Sequence, residues 1–209
     1  MRKLIYLIAA VCFAFNTQAQ YDPDALAVLN AMSAKYKKIG AYSADFSQEL
    51  INESAEINDK ISGNILVKDD KYVLKVAGQE IYNNGTDVYS YSAELDEVTV
   101  NTYQPEDEEI TLGNIYDLYK DGFKYVLMSV NKDGSRIVEL DPVSKDKSYY
   151  KIRLQIDKND DLKKFTVMER SGNKYIYTIE KFQVKNDVKD SFFTFDESKY
   201  PGVEVIDFR

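Results

Sequence analysis

Between Leu26 and Tyr36 apolar residues recur every three to four positions, at Leu26, Leu29, Met32 and Tyr36, which places them on one face of a helix. Asp22-Pro23-Asp24 supplies a capping carboxylate and an early proline ahead of the run, and Gly40 stops it. Past Gly40 the period falls to two. Tyr42, Ala44, Phe46, Gln48 and Leu50 alternate with Ser43, Asp45, Ser47 and Glu49, the pattern of a half-buried strand. Ile61, Gly63, Ile65 and Val67 alternate in the same way, then Tyr72, Leu74 and Val76. Asn84-Gly85, between Ile81-Tyr82 and residues 88–91, predicts a hairpin, because both residues tolerate the positive φ of a tight turn. Further strands are predicted around Val98 and Val100 and over 124–130, 136–140, 149–156, 162–169, 174–184 and 192–195. Asp133-Gly134, Asn159-Asp160-Asp161 and Gly172-Asn173 mark turns between them.

One stretch departs from this alternation. Residues 104–109, Gln-Pro-Glu-Asp-Glu-Glu, form an acidic loop, and Leu112, Ile115, Leu118 and Tyr119 behind it carry helical spacing up to Gly122. No repeat or linker divides the chain. The expected fold is mainly β with helices (α+β): one domain, a long twisted antiparallel sheet curled into an open, unclosed barrel, with two helices packed on it.

The first residues stand apart. Met1-Arg2-Lys3 is basic, residues 4–15 are apolar, and Thr17-Gln18-Ala19 ends in small side chains, which reads as a signal peptide over residues 1–19, cut between Ala19 and Gln20. The apolar run falls short of the roughly 20 residues that span a bilayer. Cys12 suggests a lipidation site, but Val11 precedes it where that processing wants a small residue, so a discarded leader cysteine is the better reading. Losing Arg2 and Lys3 moves the net charge from −8 to −10. The mature product, residues 20–209, is expected to be soluble, exported and monomeric. Its acidity argues against nucleic acid and against anionic lipid surfaces.

Past the leader there is no cysteine, histidine or tryptophan, which removes disulfides, Ser-His-Asp triads and the usual zinc ligands. No Gly-rich loop opens a helix to hold a nucleotide. Asp157, Asn159 and Asp161 match the start of a calcium loop, but Leu162 stands where it needs Gly and Met168 where it needs Glu, so a hairpin turn is the simpler reading. Glu106 to Glu109 are read as a solvated loop rather than an acid–base pair. No cofactor, metal or catalytic residue is expected. The 17 tyrosines and 10 phenylalanines say more. Singly they reflect strand propensity; together they suit a concave apolar surface that is sometimes wet.

Several short motifs, in order, resemble one family. Ala44-Asp45-Phe46-Ser47-Gln48, Gly63-Asn64-Ile65-Leu66-Val67-Lys68, Ile81 to Tyr91, Leu162 to Val167, Phe193-Thr194-Phe195-Asp196 and Pro201-Gly202-Val203-Glu204-Val205 are similar to the LolA family of periplasmic lipoprotein carriers. The resemblance spans the chain past the leader. It implies an open antiparallel barrel with a helical lid over its mouth. It also implies a non-enzymatic chaperone that takes acylated lipoproteins from an inner-membrane ABC transporter and delivers them to an outer-membrane acceptor. On this resemblance Phe46, Leu50, Ile65, Val67, Tyr72, Leu74, Tyr89, Tyr91, Val98 and Val100 would line the acyl-chain cavity. Leu112, Ile115, Leu118 and Tyr119 would form the lid.

One departure is evident. The family's lid-clasping arginine follows the strand matched by Ile65-Leu66-Val67-Lys68, and here Asp69-Asp70 stands in its place. A carboxylate lacks the guanidinium's planar donors, so Lys68 or Lys71 would have to compensate, or the clasp is built otherwise. The tryptophans usual in the first strands are also missing, with Leu66, Leu74 and Tyr89 near those positions. The alternative is a lipid- or lipoprotein-sensing module in envelope stress signalling; such modules usually carry a further domain or anchor, for which a chain ending at Arg209 leaves no room. An exported hydrolase using Glu106 to Glu109, and a structural envelope protein with a filled interior, are the remaining rivals.

Overall fold

The computed structural model describes residues 21–104 and 110–209. The expected signal peptide and the acidic loop at Glu106 to Glu109 lie outside the described residues. Helix α1 (Pro23–Ile39) begins at Asp22, whose carboxylate accepts the N–H groups of Asp24 at 2.9 Å and Ala25 at 3.4 Å. The same carboxylate takes the Leu127 N–H at 2.9 Å, which ties the helix start to a sheet edge. That bond, followed by the weaker ones to Asp24 and Ala25, outweighs a small desolvation and holds the Asp22 carboxyl below its ordinary range.

Twelve strands follow: β1 (Ala41–Asn52), β2 (Ile57–Lys68), β3 (Lys71–Val76), β4 (Gln79–Asn83), β5 (Asp87–Ser92), β6 (Glu97–Thr102), β7 (Phe123–Val130), β8 (Arg136–Pro142), β9 (Tyr149–Ile156), β10 (Leu162–Glu169), β11 (Lys174–Val184) and β12 (Glu204–Asp207). They form one sheet in the order β12-β6-β5-β4-β3-β2-β1-β11-β10-β9-β8-β7. The sheet stays open, with β7 and β12 as its edges. Every pairing is antiparallel except β12 on β6. Turns follow local chemistry: the two residues between β3 and β4, Ala77 and Gly78, both have positive φ, as a tight hairpin demands. Among the described residues no helix is long and apolar enough to cross a membrane.

The register fixes two faces. Phe46 opposes Gly63, Ala44 opposes Ile65, Ile65 opposes Leu74, and Leu74 opposes Ile81, so these residues share the concave face. Across β11 and β10 that face continues through Tyr177, Phe165, Leu154 and Val138. Helix α1 lays Ala25, Leu29 and Met32 on it, all fully buried. The opposite face carries a second core: Val73, Val98 and Val100 are buried there with Phe193 and Phe195 of the C-terminal segment.

Two expected elements take another form. The helix expected from Leu112 to Tyr119 is a set of turns ending in one 3₁₀ turn at Leu118–Lys120. Side chains compete with helical bonding there: the Thr111 N–H goes to Asn114 Oδ1 at 3.0 Å, and the Gly113 N–H to Thr111 Oγ1 at 3.1 Å. The strand expected over 192–195 is a 3₁₀ turn at Asp190–Phe193 followed by irregular chain. Burying Phe193 and Phe195 against the sheet replaces pairing with it.

Candidate functional site

A cleft of about 440 Å³ opens on the concave face, within the 300–1,000 Å³ or so usual for ligand pockets. Strands β1, β2, β3 and β4 contribute Phe46, Ile65, Leu74, Val76 and Ile81. Val167, Tyr175 and Tyr177 close it from β10 and β11, and Ile110 and Leu112 from the lid segment. Polar groups ring it: Gln48, Gln79, Lys147, Ser148 and Glu169. Gly63 makes the floor possible. A Cβ there would sit 2.6 Å from Phe46 Cζ and 2.9 Å from the Lys75 carbonyl oxygen, so only glycine leaves room for the ring. Tyr177 lies parallel to Phe165, with ring centroids 4.4 Å apart, and stiffens the far wall.

The lid segment is held by tyrosines. The Tyr42 hydroxyl, deep in the core, donates to the Leu112 carbonyl at 2.8 Å. Tyr36 stacks on Tyr116 at 3.5 Å between centroids. Tyr119 donates to Asn30 Oδ1 at 2.7 Å and Ser33 to Asp117 Oδ1 at 2.5 Å; Lys37 and Lys120 also reach Asp117. Burial pushes the Tyr36 hydroxyl up to about 12 and raises Tyr42 and Tyr116 further, so all three stay neutral; Tyr42 donates, while the Tyr36 oxygen accepts the Leu162 N–H at 3.3 Å. Burial also works to raise Asp117, but hydrogen bonds from Lys120, Ser33 and Lys37 outweigh it and hold the carboxyl low.

Lys68 and Lys71 take no part in that clasp. Both bind Asp190, at 2.7 and 2.5 Å, and Lys68 also donates to the Val188 carbonyl. They pin the C-terminal segment, and with it hold the Asp190 carboxyl down at about 2.

The residues expected to line the cavity divide into groups. Phe46, Ile65 and Leu74 meet at the cleft, with Leu112 from the lid. Val67 and Tyr72 share the concave face but line a separate opening near Tyr36 and Tyr116. Leu50 lies on the same face beyond Gln48, half-buried near the strand end. Ile115 and Tyr119 are buried in the core shared with α1, and Leu118 packs against it half-buried. Tyr89, Tyr91, Val98 and Val100 sit elsewhere. Tyr82 opposes Tyr89, and Tyr89 and Tyr91 oppose Val100 and Val98, which puts all of them on the opposite face. There Tyr91 meets Phe195 and Tyr200 at 5.5 and 4.5 Å. Ser90 and Ser92, not the tyrosines, share the face of Ile81 and Gln79. Val76, Ile81, Val167, Tyr149, Tyr175 and Tyr177 were not assigned from sequence. Alternation from Leu74 marks Val76, and a two-residue turn carries the same parity to Ile81; the others depend on pairing between distant strands.

Comparison with known proteins gives the same frame. Residues 37–196 match the family model described as outer membrane lipoprotein carrier protein LolA. An outer-membrane lipoprotein carrier protein of Actinobacillus succinogenes is 24% identical over 217 residues, covering 100% of this chain and 98% of that protein. Among solved structures, an uncharacterized conserved protein from Thermus thermophilus superposes with a TM-score of 0.58 at 9% identity, covering 88% of this chain and 99% of that one. A LolA superfamily protein from Nitrosomonas europaea gives 0.47 at 12% identity over 82% and 97% of the two chains. The open sheet with its lid segment, together with the family match over most of its length, establishes that this chain belongs to the LolA family.

Proposed function

We propose that this protein is a periplasmic carrier that shelters the acyl chains of lipoproteins in the concave cleft, between an inner-membrane ABC transporter that loads it and an outer-membrane acceptor that unloads it. It is exported behind a signal peptide ending at Ala19, acts as a monomer, and does so without catalysis, metal or nucleotide of its own. The observation that carries this reading is the cleft itself: apolar and aromatic side chains from seven strands and the lid segment converge on a space ringed by polar groups. Membership in a lipoprotein-carrier family supports it.

Energetics explain why such a cleft is needed. Each methylene taken out of water is worth about 0.8 kcal/mol, so a sixteen-carbon chain holds roughly 10–13 kcal/mol against leaving a bilayer. A carrier has to supply comparable burial. Here Leu112 and Ile115 are almost wholly buried in the same core as the sheet, which is the closed arrangement: the lid's own side chains fill the part of the hollow that a guest takes once the lid withdraws.

Titration with a fluorescent diacylated peptide tests this. Saturable binding is expected, with Leu74→Glu, which puts a carboxylate in the cleft wall, weakening it at least tenfold. Tyr91→Phe, on the opposite face, is expected to leave it unchanged. Absence of saturable binding, or equal effects of the two substitutions, overturns the reading.

A further inference from the structure

Beyond the apolar cleft, the concave face has a second opening of different chemistry. It is a space of about 540 Å³ at the strand ends where β2 turns into β3. Five tyrosines line it: Tyr36, Tyr42, Tyr72, Tyr103 and Tyr116. The turn residues Asp69 and Asp70 stand at its edge, exposed, and neither carboxylate meets a cation among the described residues. The two lysines on the same wall are committed elsewhere, Lys37 to Asp117 at 3.2 Å and Lys71 to Asp190 at 2.5 Å.

A second, independent feature points the same way. Tyr116 is 5% exposed and lines the cleft, yet its hydroxyl makes no hydrogen bond in the structure. A buried hydroxyl without a partner costs free energy, and its oxygen is suited to accept from an N–H. Aromatic faces attract cations, above all where water is partly excluded. Carboxylates at the rim, tyrosine rings along the wall and an unused acceptor in its depth therefore suit one kind of group, a cation carried on an apolar stem.

We propose that this cleft is a second binding site, for a lysine or arginine side chain presented on a polypeptide. The stem passes Val67 and Tyr72, the charge stays near Asp69 and Asp70, and an N–H reaches inward toward Tyr116. The site lies two residues along β2 and β3 from the apolar cleft, since Val67 and Tyr72 line one and Ile65 and Leu74 the other, and the Tyr42–Leu112 bond stands between them. It does not depend on the apolar cleft taking acyl chains. The polypeptide is either the one attached to a guest's acyl group or one belonging to a docking partner, and the experiment separates these.

The test is an NMR titration of the purified protein with acetylated, amidated pentapeptides carrying a central Lys, Arg or norleucine. Saturable shifts of the Gly40 and Gly113 amides, which border the cleft, are expected with Lys and Arg and not with norleucine. The Asp69→Asn/Asp70→Asn variant should bind at least tenfold more weakly, about 1.4 kcal/mol. Asn suits the positive φ of Asp69, so the turn survives the change. Tyr116→Phe, a second variant that leaves the rim intact, should weaken binding severalfold. Equal shifts with norleucine, unchanged affinity in the Asn variant, or no saturable shift overturns the proposal, whatever the acylated peptide does. A diacylated peptide with Lys beside its lipid identifies the source. If the guest supplies the cation, that peptide loses affinity in the Asn variant and blocks the free Lys peptide; if a partner supplies it, the free peptide still binds the loaded protein.

Discussion

Replacing Tyr42 with Phe removes one oxygen atom and, with it, the bond from the sheet to the lid. The ring keeps its place: it stacks on Phe182 with centroids 4.9 Å apart and meets Tyr36 edge-on at 5.8 Å, contacts a phenylalanine reproduces. What is lost is the 2.8 Å donation to the Leu112 carbonyl, which is left inside a core where Leu112 is 2% exposed. Leaving a buried acceptor unmade costs about 1–3 kcal/mol, an equilibrium change of roughly 5- to 150-fold. On the proposed carrier reading that cost falls on the closed state alone, because an open lid would return the Leu112 carbonyl to water.

Two measurements follow from that asymmetry. Amide exchange from Leu112 to Tyr119 should speed up by the same factor, while β9 and β10, which do not touch the bond, keep their protection. If an acyl chain enters only when the lid is withdrawn, the apparent affinity for a diacylated peptide rises by up to that factor, since a ligand that needs a minor state is penalised by its scarcity. Tyr119→Phe is the calibrating variant. Its donation to Asn30 is only half-buried, so about 0.5–1.5 kcal/mol is expected. Exchange that accelerates uniformly across sheet and lid would mean Tyr42 merely supports the fold. A lid that loosens with no gain in affinity would refute its role as the gate.

Gly63→Ala should destabilise by about 1–3 kcal/mol in a urea titration, because the added carbon meets both the Phe46 ring and the Lys75 carbonyl; adding Phe46→Leu should relieve the ring contact and recover only part of the loss. Asp22→Ala removes the cap of α1 and the acceptor for Leu127 N–H, so a loss of about 1–2 kcal/mol is expected, read as a lower midpoint with faster exchange at Leu127. The Asp190 carboxyl is held at about 2 against an ordinary 3.8, first by the hydrogen bonds from Lys68 and Lys71. A folded-state value below the unfolded one gives stabilisation that is present above pH 4 or so and fades as pH falls toward 2. Protease sensitivity of residues 186–200 should therefore rise across that window, and in Asp190→Asn it should be high and flat.

The parts legible in the sequence are those set by neighbours along the chain. The Asp22-Pro23 cap, the stop at Gly40 and the alternation through Phe46, Ile65 and Leu74 are all local, and the structure has them where the residues place them. Local also, but with more than one outcome, is the segment behind the acidic loop. Its apolar spacing suits a helix, but the side chains of Thr111 and Asn114 take up the backbone N–H groups of Gly113 and Thr111 instead. What period two cannot supply is the name of the face. In β5 tyrosines alternate with serines, and the apolar set suggests the interior. That set does face a core, but the wrong one for a cavity, because Phe193, Phe195 and Tyr200 arrive from more than a hundred residues away to cover the convex side.

The same long-range pairing explains how a chain without the family's arginine keeps its lid. A single guanidinium clasp concentrates the lid's attachment at one turn of the sheet. Here that turn holds Asp69 and Asp70, and the attachment has moved inward, to Tyr42 on β1 and to Tyr36, Ser33 and Asn30 on α1. Neutral hydroxyls in a core form and break without moving a charge through low dielectric, whereas a buried ion pair leaves a stranded charge behind when it opens. On the proposed carrier reading, a lid fastened chiefly by hydroxyls to a helix and a strand would be strongly seated yet open at modest cost, and helix α1 would be part of the gate: a displacement of α1 from the sheet would loosen the attachments through Asn30, Ser33, Tyr36 and Lys37 at once and leave that of Tyr42.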